Sequence, residues 1–370
     1  MISGIYNWQL LANDNSFYYL WEDYSASQNR IYVQRVFPNG NFYFAENGIP
    51  ITETTYSSQI NYVCKSLPDG GIVAAWNEIK ENEDFLRVRL QVLFPDGSFL
   101  SPDGIDVTTD VVENQIKPKI DIVDGNIIVV WLEDEQIKAQ KLVDFTPAWG
   151  ANGSVLLSNC DTSTVGLKGN YILFVYQGES HFHQIDESGN LNANWPTYGI
   201  SIPENTETMQ SWDVFESDLV YSWKNSDFGL EDFGFQILAS EGSYVFPDNG
   251  IEIITDINVS YYDFLFDGCI NLFHTANYET DILMERYDLQ GQMIWDGSTC
   301  YIPNGDGINY IHSVKMGDKF LVVWDAYNFG LPHTFLAQLI DSDGSPIPST
   351  LNGDEFQTCS SYRDYQLASA

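Results

Sequence analysis

Basic residues are scarce: 16 Lys and Arg stand against 52 Asp and Glu, a formal charge of -36. Such a surface repels phosphate backbones and anionic headgroups, so nucleic acid and membrane surfaces are poor partners; it favours solubility and attracts cations or basic partners. Histidine and cysteine are thin too, five of each. Cys64, Cys160, Cys269, Cys300 and Cys359 form no C-x-x-C pair, which excludes metal knuckles. Cys269 and Cys300 lie close enough in sequence to pair, but the odd count and scattered positions favour buried free thiols. No apolar run approaches the ~18–20 residues that cross a bilayer, the longest strand-like one being Ile127 to Leu132, so no membrane insertion is expected. After Met1 there is neither a basic n-region nor an apolar h-region, and any secretory signal is expected to have been removed or to lie upstream. P-loops, G-x-G-x-x-G and Ser-His-Asp order are missing, which removes support for nucleotide and nucleophilic chemistry. Helical periodicity with caps is missing as well, leaving an all-β class.

What is present is aromatic and turn-rich: 44% hydrophobic, 15% aromatic, 28 Gly and 14 Pro. Short apolar runs end in a large side chain at Trp21, Trp76, Trp131, Tyr176, Trp223, His274 and Trp324, spaced by 55, 55, 45, 47, 51 and 50 residues. A second run follows each anchor and places a polar residue six positions before a turn: Gln34, Gln91, Gln140, His183, Gln236, Glu285 and Gln338. The turns, such as Asn39-Gly40 and Asp96-Gly97, supply the φ > 0 positions that close hairpins. A Gly-led strand comes next, as in Gly48-Ile49-Pro50-Ile51 or Gly104-Ile105-Asp106-Val107, and an alternating run such as Gln59 to Lys65 or Gln115 to Val123 precedes each anchor.

Four strands per unit of about 50 residues, seven times over, is the arithmetic of a single β-propeller. The repeats run approximately 4–54, 55–108, 109–157, 158–203, 204–255, 256–304 and 305–358, with 359–370 as a closing or extra strand. Tyr365-Gln366-Leu367 echoes Trp8-Gln9-Leu10, so an eighth, truncated blade is the alternative. The anchors are expected to be structural, packed against the neighbouring blade, and the repeated Gln to satisfy backbone between blades.

With Trp, then Gln, then Asn/Asp-Gly, then Gly-Ile-x-Ile laid out, the unit resembles the degenerate propeller repeats of large secreted bacterial surface proteins, often of the kind carrying a type IX sorting domain. The resemblance spans the chain and is carried best by Trp21 to Ile51, Trp131 to Leu157 and Trp324 to Gly344. It implies export to the surface, a monomer within a larger multidomain precursor, and a binding or display role. It transfers no catalytic residue.

Loops on a rigid scaffold are where function concentrates. The connections between second and third strands carry carboxylates and aromatics: Glu22, Asp23 and Tyr24; Glu78, Glu81, Glu83 and Asp84; Glu133, Asp134 and Glu135; Asp227, Phe228, Glu231 and Asp232; Tyr278, Glu279 and Asp281; Asp325, Tyr327 and Phe329. Aromatic faces stack on sugars or peptide side chains, and carboxylates hold hydroxyls, cations or basic residues. Tyr24, Asp23, Asp227, Phe228, Tyr278, Tyr327 and Asp325 are therefore the candidate ligand-binding residues, for a glycan or a protein. No catalytic residue and no cofactor is expected, calcium held by oxygen ligands at that rim or at Asp341 and Asp343 being the one metal left open. His181 and His183 share a strand face as a zinc pair would, but His183 occupies the repeated Gln position and reads as structural. The alternatives to a recognition module are a carbohydrate-active enzyme using rim or channel carboxylates, which would need two of them about 5 to 10 Å apart, and a structural spacer.

Overall fold

The computed structural model describes residues 5–13, 16–24, 28–37, 41–53, 57–80, 83–202, 208–227, 230–247, 250–257, 259, 261–276, 281–300, 307–327 and 334–347. Among them there is no helix, and every strand pairing is antiparallel. The fold class is the seven-bladed β-propeller. Seven separate sheets follow one another along the chain, each a meander in which consecutive strands are neighbours. Blade 3 adds a short extra pairing at Thr146–Pro147, and blade 7 shows three strands among the described residues. Blades 1 to 4 form one compact unit and blades 5 to 7 another. Residues 359–370, where the echo of the first strand lies, are outside the described residues.

Local chemistry fixes each meander. Some hairpin turns use left-handed residues in pairs, as at Asp124 and Gly125 (φ 49° and 76°) between the first two strands of blade 3, the type I′ geometry that matches strand twist, and others a single left-handed glycine such as Gly70. The second strands are apolar on both faces: Ile72–Lys80 and Asn126–Glu133 are buried along nearly their whole length, as strands flanked by sheets on both sides must be. The core is accordingly a series of layers between blades. Trp76 shares a cluster with Leu20, Ile31, Val33 and Ile51 of blade 1. Trp131 shares one with Val73, Val88, Leu90 and Val92 of blade 2, and Trp324 one with Phe273, Ile282 and Met284 of blade 6.

The strand register corrects one anchor. Six anchors face the residue two positions before the repeated polar side chain: Trp21 faces Tyr32, Trp76 faces Arg89, Trp131 faces Lys138, Trp223 faces Gly234, His274 faces Leu283 and Trp324 faces Leu336. In blade 4 the residue two before His183 is His181, and it faces Phe174. Phe174, not Tyr176, is therefore the anchor: it is fully buried in the layer shared with Ile128, Val130 and Leu132 of blade 3, whereas Tyr176 is half-buried at its margin. The two residues share a strand face because side chains alternate, so a choice made on ring size lands two positions late.

The repeated Gln is also corrected: it ties its own blade. Gln140 donates Nε2 to Gly150 O at 2.7 Å while its Oε1 accepts from Trp149 N at 2.8 Å and Lys141 N at 3.2 Å. Gln34, Gln91 and Gln236 hold the equivalent return stretch, at Ala45, Ser101 and Phe246. Gln91 alone of these also reaches back a blade, to Ile51 O at 3.0 Å. The bond between blades belongs to a different glutamine at the start of the first strand. Gln59 Oε1 accepts from Ile31 N at 3.0 Å and Gln115 Oε1 from Val88 N at 2.9 Å, in each case across to the third strand of the preceding blade. The Gly that opens the fourth strand answers to the anchor: a Cβ on Gly153 (φ +69°) would stand 2.8 Å from Trp131 Cη2 and 2.5 Å from Ala139 O. Only glycine meets both demands.

Candidate functional site

At the end of blades 2, 3 and 4 where the second strand turns into the third, the residue two past the anchor and the residue facing the anchor stand beside the residues around the Gly that opens the fourth strand. What occupies these places differs from blade to blade.

In blades 2 and 3 they hold buried ion pairs. Glu78 and Glu133, expected on a solvated rim, are 1% and 5% exposed. Glu133 Oε2 accepts from Trp131 Nε1 and from Gln115 Nε2, both at 3.0 Å, and Oε1 takes the Lys138 ammonium. Burial alone would raise its carboxyl; the Lys138, Trp131 and Gln115 donors together hold it below the ordinary glutamate range. Glu78 Oε1 accepts from Ser57 Oγ at 2.8 Å and Oε2 lies 3.4 Å from Arg89 Nε. Arg89 also bonds Asp106 at 3.0 Å and the Asp103 carbonyl at 2.7 Å. In blade 1 Glu22 is buried and accepts from the Tyr24 hydroxyl. Glu78 and Glu133 thus point into an interblade layer rather than to solvent, because their strands are covered on both faces, whereas Asp23, two past Trp21 in blade 1, is half-buried.

Blade 4 departs from this. The turn is two residues, Gln177 and Gly178 (φ 54° and 88°), so Tyr176 and Glu179 face each other at its base. Tyr176 takes the place of Glu133, and His181 that of Lys138. Burial lowers the pKa of His181, with Glu179 opposing at 3.7 Å, so the imidazole is neutral at pH 7 and carries no charge for an acid to pair with. Tyr176 instead stacks on Tyr198, centroids 4.3 Å apart and planes 8° from parallel, with His181 edge-on at 6.1 Å. A hydrogen bond with Tyr198 raises the Tyr176 phenol above the usual tyrosine range, so the ring is neutral. Tyr198 is 47% exposed, and the Glu179 side chain 50%. Beneath, His183 stacks on buried Trp195 at 5.6 Å. The neighbouring turn of blade 3 brings exposed Asp134 and Glu135, Glu135 O accepting from Cys160 N at 3.0 Å, and Cys160 belongs to the layer against which Tyr176 packs. The result is a flat aromatic platform with carboxylates beside it.

Of the candidate ligand residues, Tyr24 is exposed and bonded to Glu22, and Asp23 is half-buried at the end of Ser16–Asp23. Asp227 ends the strand Asp218–Asp227, and Asp325 and Tyr327 lie on Lys319–Tyr327, with side chains outside the described residues. Phe228 and Tyr278 are outside them altogether. Sequence reasoning missed Tyr198 and Glu179, because Tyr176 was spent as an anchor. Among the described residues no three His, Cys, Asp or Glu side chains stand together as a metal site. Asp343 Oδ1 accepts from Ser345 N at 2.9 Å, and Asp341 Oδ1 from Ser342 N at 2.7 Å, as turn-forming aspartates do. Cys64, Cys160 and Cys269 are free thiols, the first two buried.

No family model matches the chain, and no curated protein does. Among solved structures it is similar to a prolyl endopeptidase, at 11% identity and a TM-score of 0.53, over 93% of this chain and 49% of that one. It thus spans about half the length of that protein. It is also similar to a polysaccharide lyase (10% identity, 90% and 89% covered, TM-score 0.49) and to an α-L-arabinofuranosidase from Fusarium graminearum (8% identity, 91% and 93% covered, TM-score 0.41). At these identities the likeness concerns the fold alone, and the endopeptidase carries it.

Proposed function

We propose that the chain is a non-catalytic recognition module, exported as part of a larger precursor, whose ligand docks on the Tyr176–Tyr198 platform of blade 4. The observation that carries this reading is the parallel stack itself. An aromatic pair at a strand end is normally sunk in a blade layer, as Phe174 is, yet Tyr198 keeps nearly half its surface in water beside an exposed carboxylate. Such a face is built for a planar or ring-bearing group. Recognition is favoured over glycoside hydrolysis because three of the described second-strand carboxylates at this end, Glu22, Glu78 and Glu133, are buried and bonded within the scaffold, only Asp23 being half-buried.

The test is a binding screen of the whole chain against neutral oligosaccharides and peptides, with product analysis of every mixture. Binding that Tyr198→Ala abolishes, without product, supports the proposal. Turnover of any sugar, or binding indifferent to Tyr198→Ala, overturns it.

A further inference from the structure

Resting on that recognition reading, we infer that the ligand is a cationic side chain on a protein segment, arginine ahead of lysine, stacked on Tyr198 and paired with Glu179. The first reason is charge. The chain carries 52 acidic and 16 basic residues, and blade 4 from 161 to 201 contains a single Lys or Arg, Lys168. Lys168 sits at the far end of the blade, at the turn where it faces Tyr171. Lys138, the cation at the equivalent place in blade 3, is already paired with Glu133. His181 is held neutral by burial. An incoming positive group therefore meets Glu179, Asp134 and Glu135 with no competing cation in blade 4 at that end.

The second reason is hydrogen-bond chemistry. A guanidinium offers five N–H donors and accepts nothing, whereas a sugar hydroxyl must both donate and accept. The Glu179, Asp134 and Glu135 carboxylates accept without donating, whereas the two phenols and the Gln177 amide, whose Nε2 bonds the Tyr176 hydroxyl at 3.4 Å, can also donate. A donor-only ligand suits the carboxylates.

The third reason is that the molecule already uses this mode. The Arg35 guanidinium lies over the rings of Tyr18, Phe37 and Tyr43 at 5.2, 5.5 and 5.4 Å. Arg286 lies over Trp295 and Phe320 at 5.0 and 5.3 Å. The Tyr176–Tyr198 stack presents the same kind of face without an internal cation above it among the described residues, and a cation there gains from the ring quadrupole and from Glu179 together.

The experiment measures binding of a fluorescent arginine-rich peptide, its lysine counterpart and a neutral oligosaccharide to the whole chain at low and high salt. The peptide should bind, arginine more tightly than lysine, and weaken as salt rises. Tyr198→Ala, which changes no charge, should weaken it roughly three- to thirty-fold. Tyr198→Phe should leave it unchanged, which separates loss of the ring from loss of folding, and Glu179→Gln should weaken it several-fold at low salt. Peptide affinity that Tyr198→Ala does not alter would show diffuse charge attraction and overturn the inference. A neutral oligosaccharide that binds and is lost in Tyr198→Ala would leave the recognition reading standing while overturning the cationic ligand. No binding by any probe would overturn both.

Discussion

Blades 3 and 4 are built on one plan and end differently. Both turn from second to third strand through two left-handed residues, and both place the anchor nine residues before the repeated polar side chain, Trp131 before Gln140 and Phe174 before His183. Two positions beyond the anchor, blade 3 carries Glu133 and swallows it, because Lys138, Trp131 and Gln115 supply donors that offset its desolvation. Blade 4 has His181 where Lys138 stands, and a neutral imidazole cannot hold an acid there. A tyrosine fills the place, and its stacking partner stays in water. Replacing the Lys138–Glu133 pair by His181 and Tyr176 thus turns a sealed corner into an open one on the same backbone plan.

The largest effects should come from the anchors. Trp131→Ala and Phe174→Ala should each cost about 3–5 kcal/mol in urea unfolding, since each leaves a cavity in an interblade layer. Tyr176→Ala should cost far less, about 1 kcal/mol, the size of an ordinary point substitution. A Tyr176 variant as damaging as Phe174→Ala would refute the reassigned anchor. Next comes the buried polar bonding. Gln140→Leu leaves Trp149 N, Lys141 N and Gly150 O without their partner and should cost about 1–3 kcal/mol.

Acid should separate the two blades as well. His181 and His183 have native pKa values lowered by burial from 6.5, so the unfolded chain binds the protons first and stability falls as pH drops below about 6.5. Glu133 has a native pKa lowered from 4.5, so its contribution is complete above about 4.5 and is lost only as pH falls through the native value. Hydrogen exchange should therefore show blade 4 amides losing protection at a higher pH than blade 3 amides. His183→Gln restores the repeat's usual residue and should remove part of the early loss. An unchanged pH profile would assign that loss elsewhere. The smallest effect is Tyr198→Phe, which keeps the stacked ring and should leave the unfolding midpoint within about 0.5 kcal/mol.

The fold class was legible because repetition multiplies a weak signal: each blade alone is ambiguous, but seven copies of aromatic, polar residue and glycine at near-constant spacing are not. The Tyr176 reading failed for a physical reason. Ring size suggested the anchor, whereas burial chose it, and counting nine residues back from His183, as from Gln140 to Trp131, would have found Phe174. The link between Trp131 and Gly153 was present in the sequence as two separate regularities, and only register shows that the indole lies where a Cβ would stand. Glu78 and Glu133 looked like loop carboxylates because sequence cannot say whether a polar strand end is covered; their partners Arg89 and Lys138 come from the next strand. Tyr198 directly precedes Gly199, where other repeats carry Asn47, Asp103, Asn152 and Asn249, so the glycine pattern marked the place and an aromatic in a position otherwise held by Asn or Asp was the one signal of the platform.

The glutamine bond between blades bears on how the chain could be cut. Because Gln115 begins blade 3 yet caps Val88 in blade 2, as Gln59 caps Ile31 in blade 1, a fragment ending at a repeat boundary keeps an amide whose acceptor has left with the other piece. Fragments that carry five residues past the first boundary or seven past the second, through that glutamine, retain the cap.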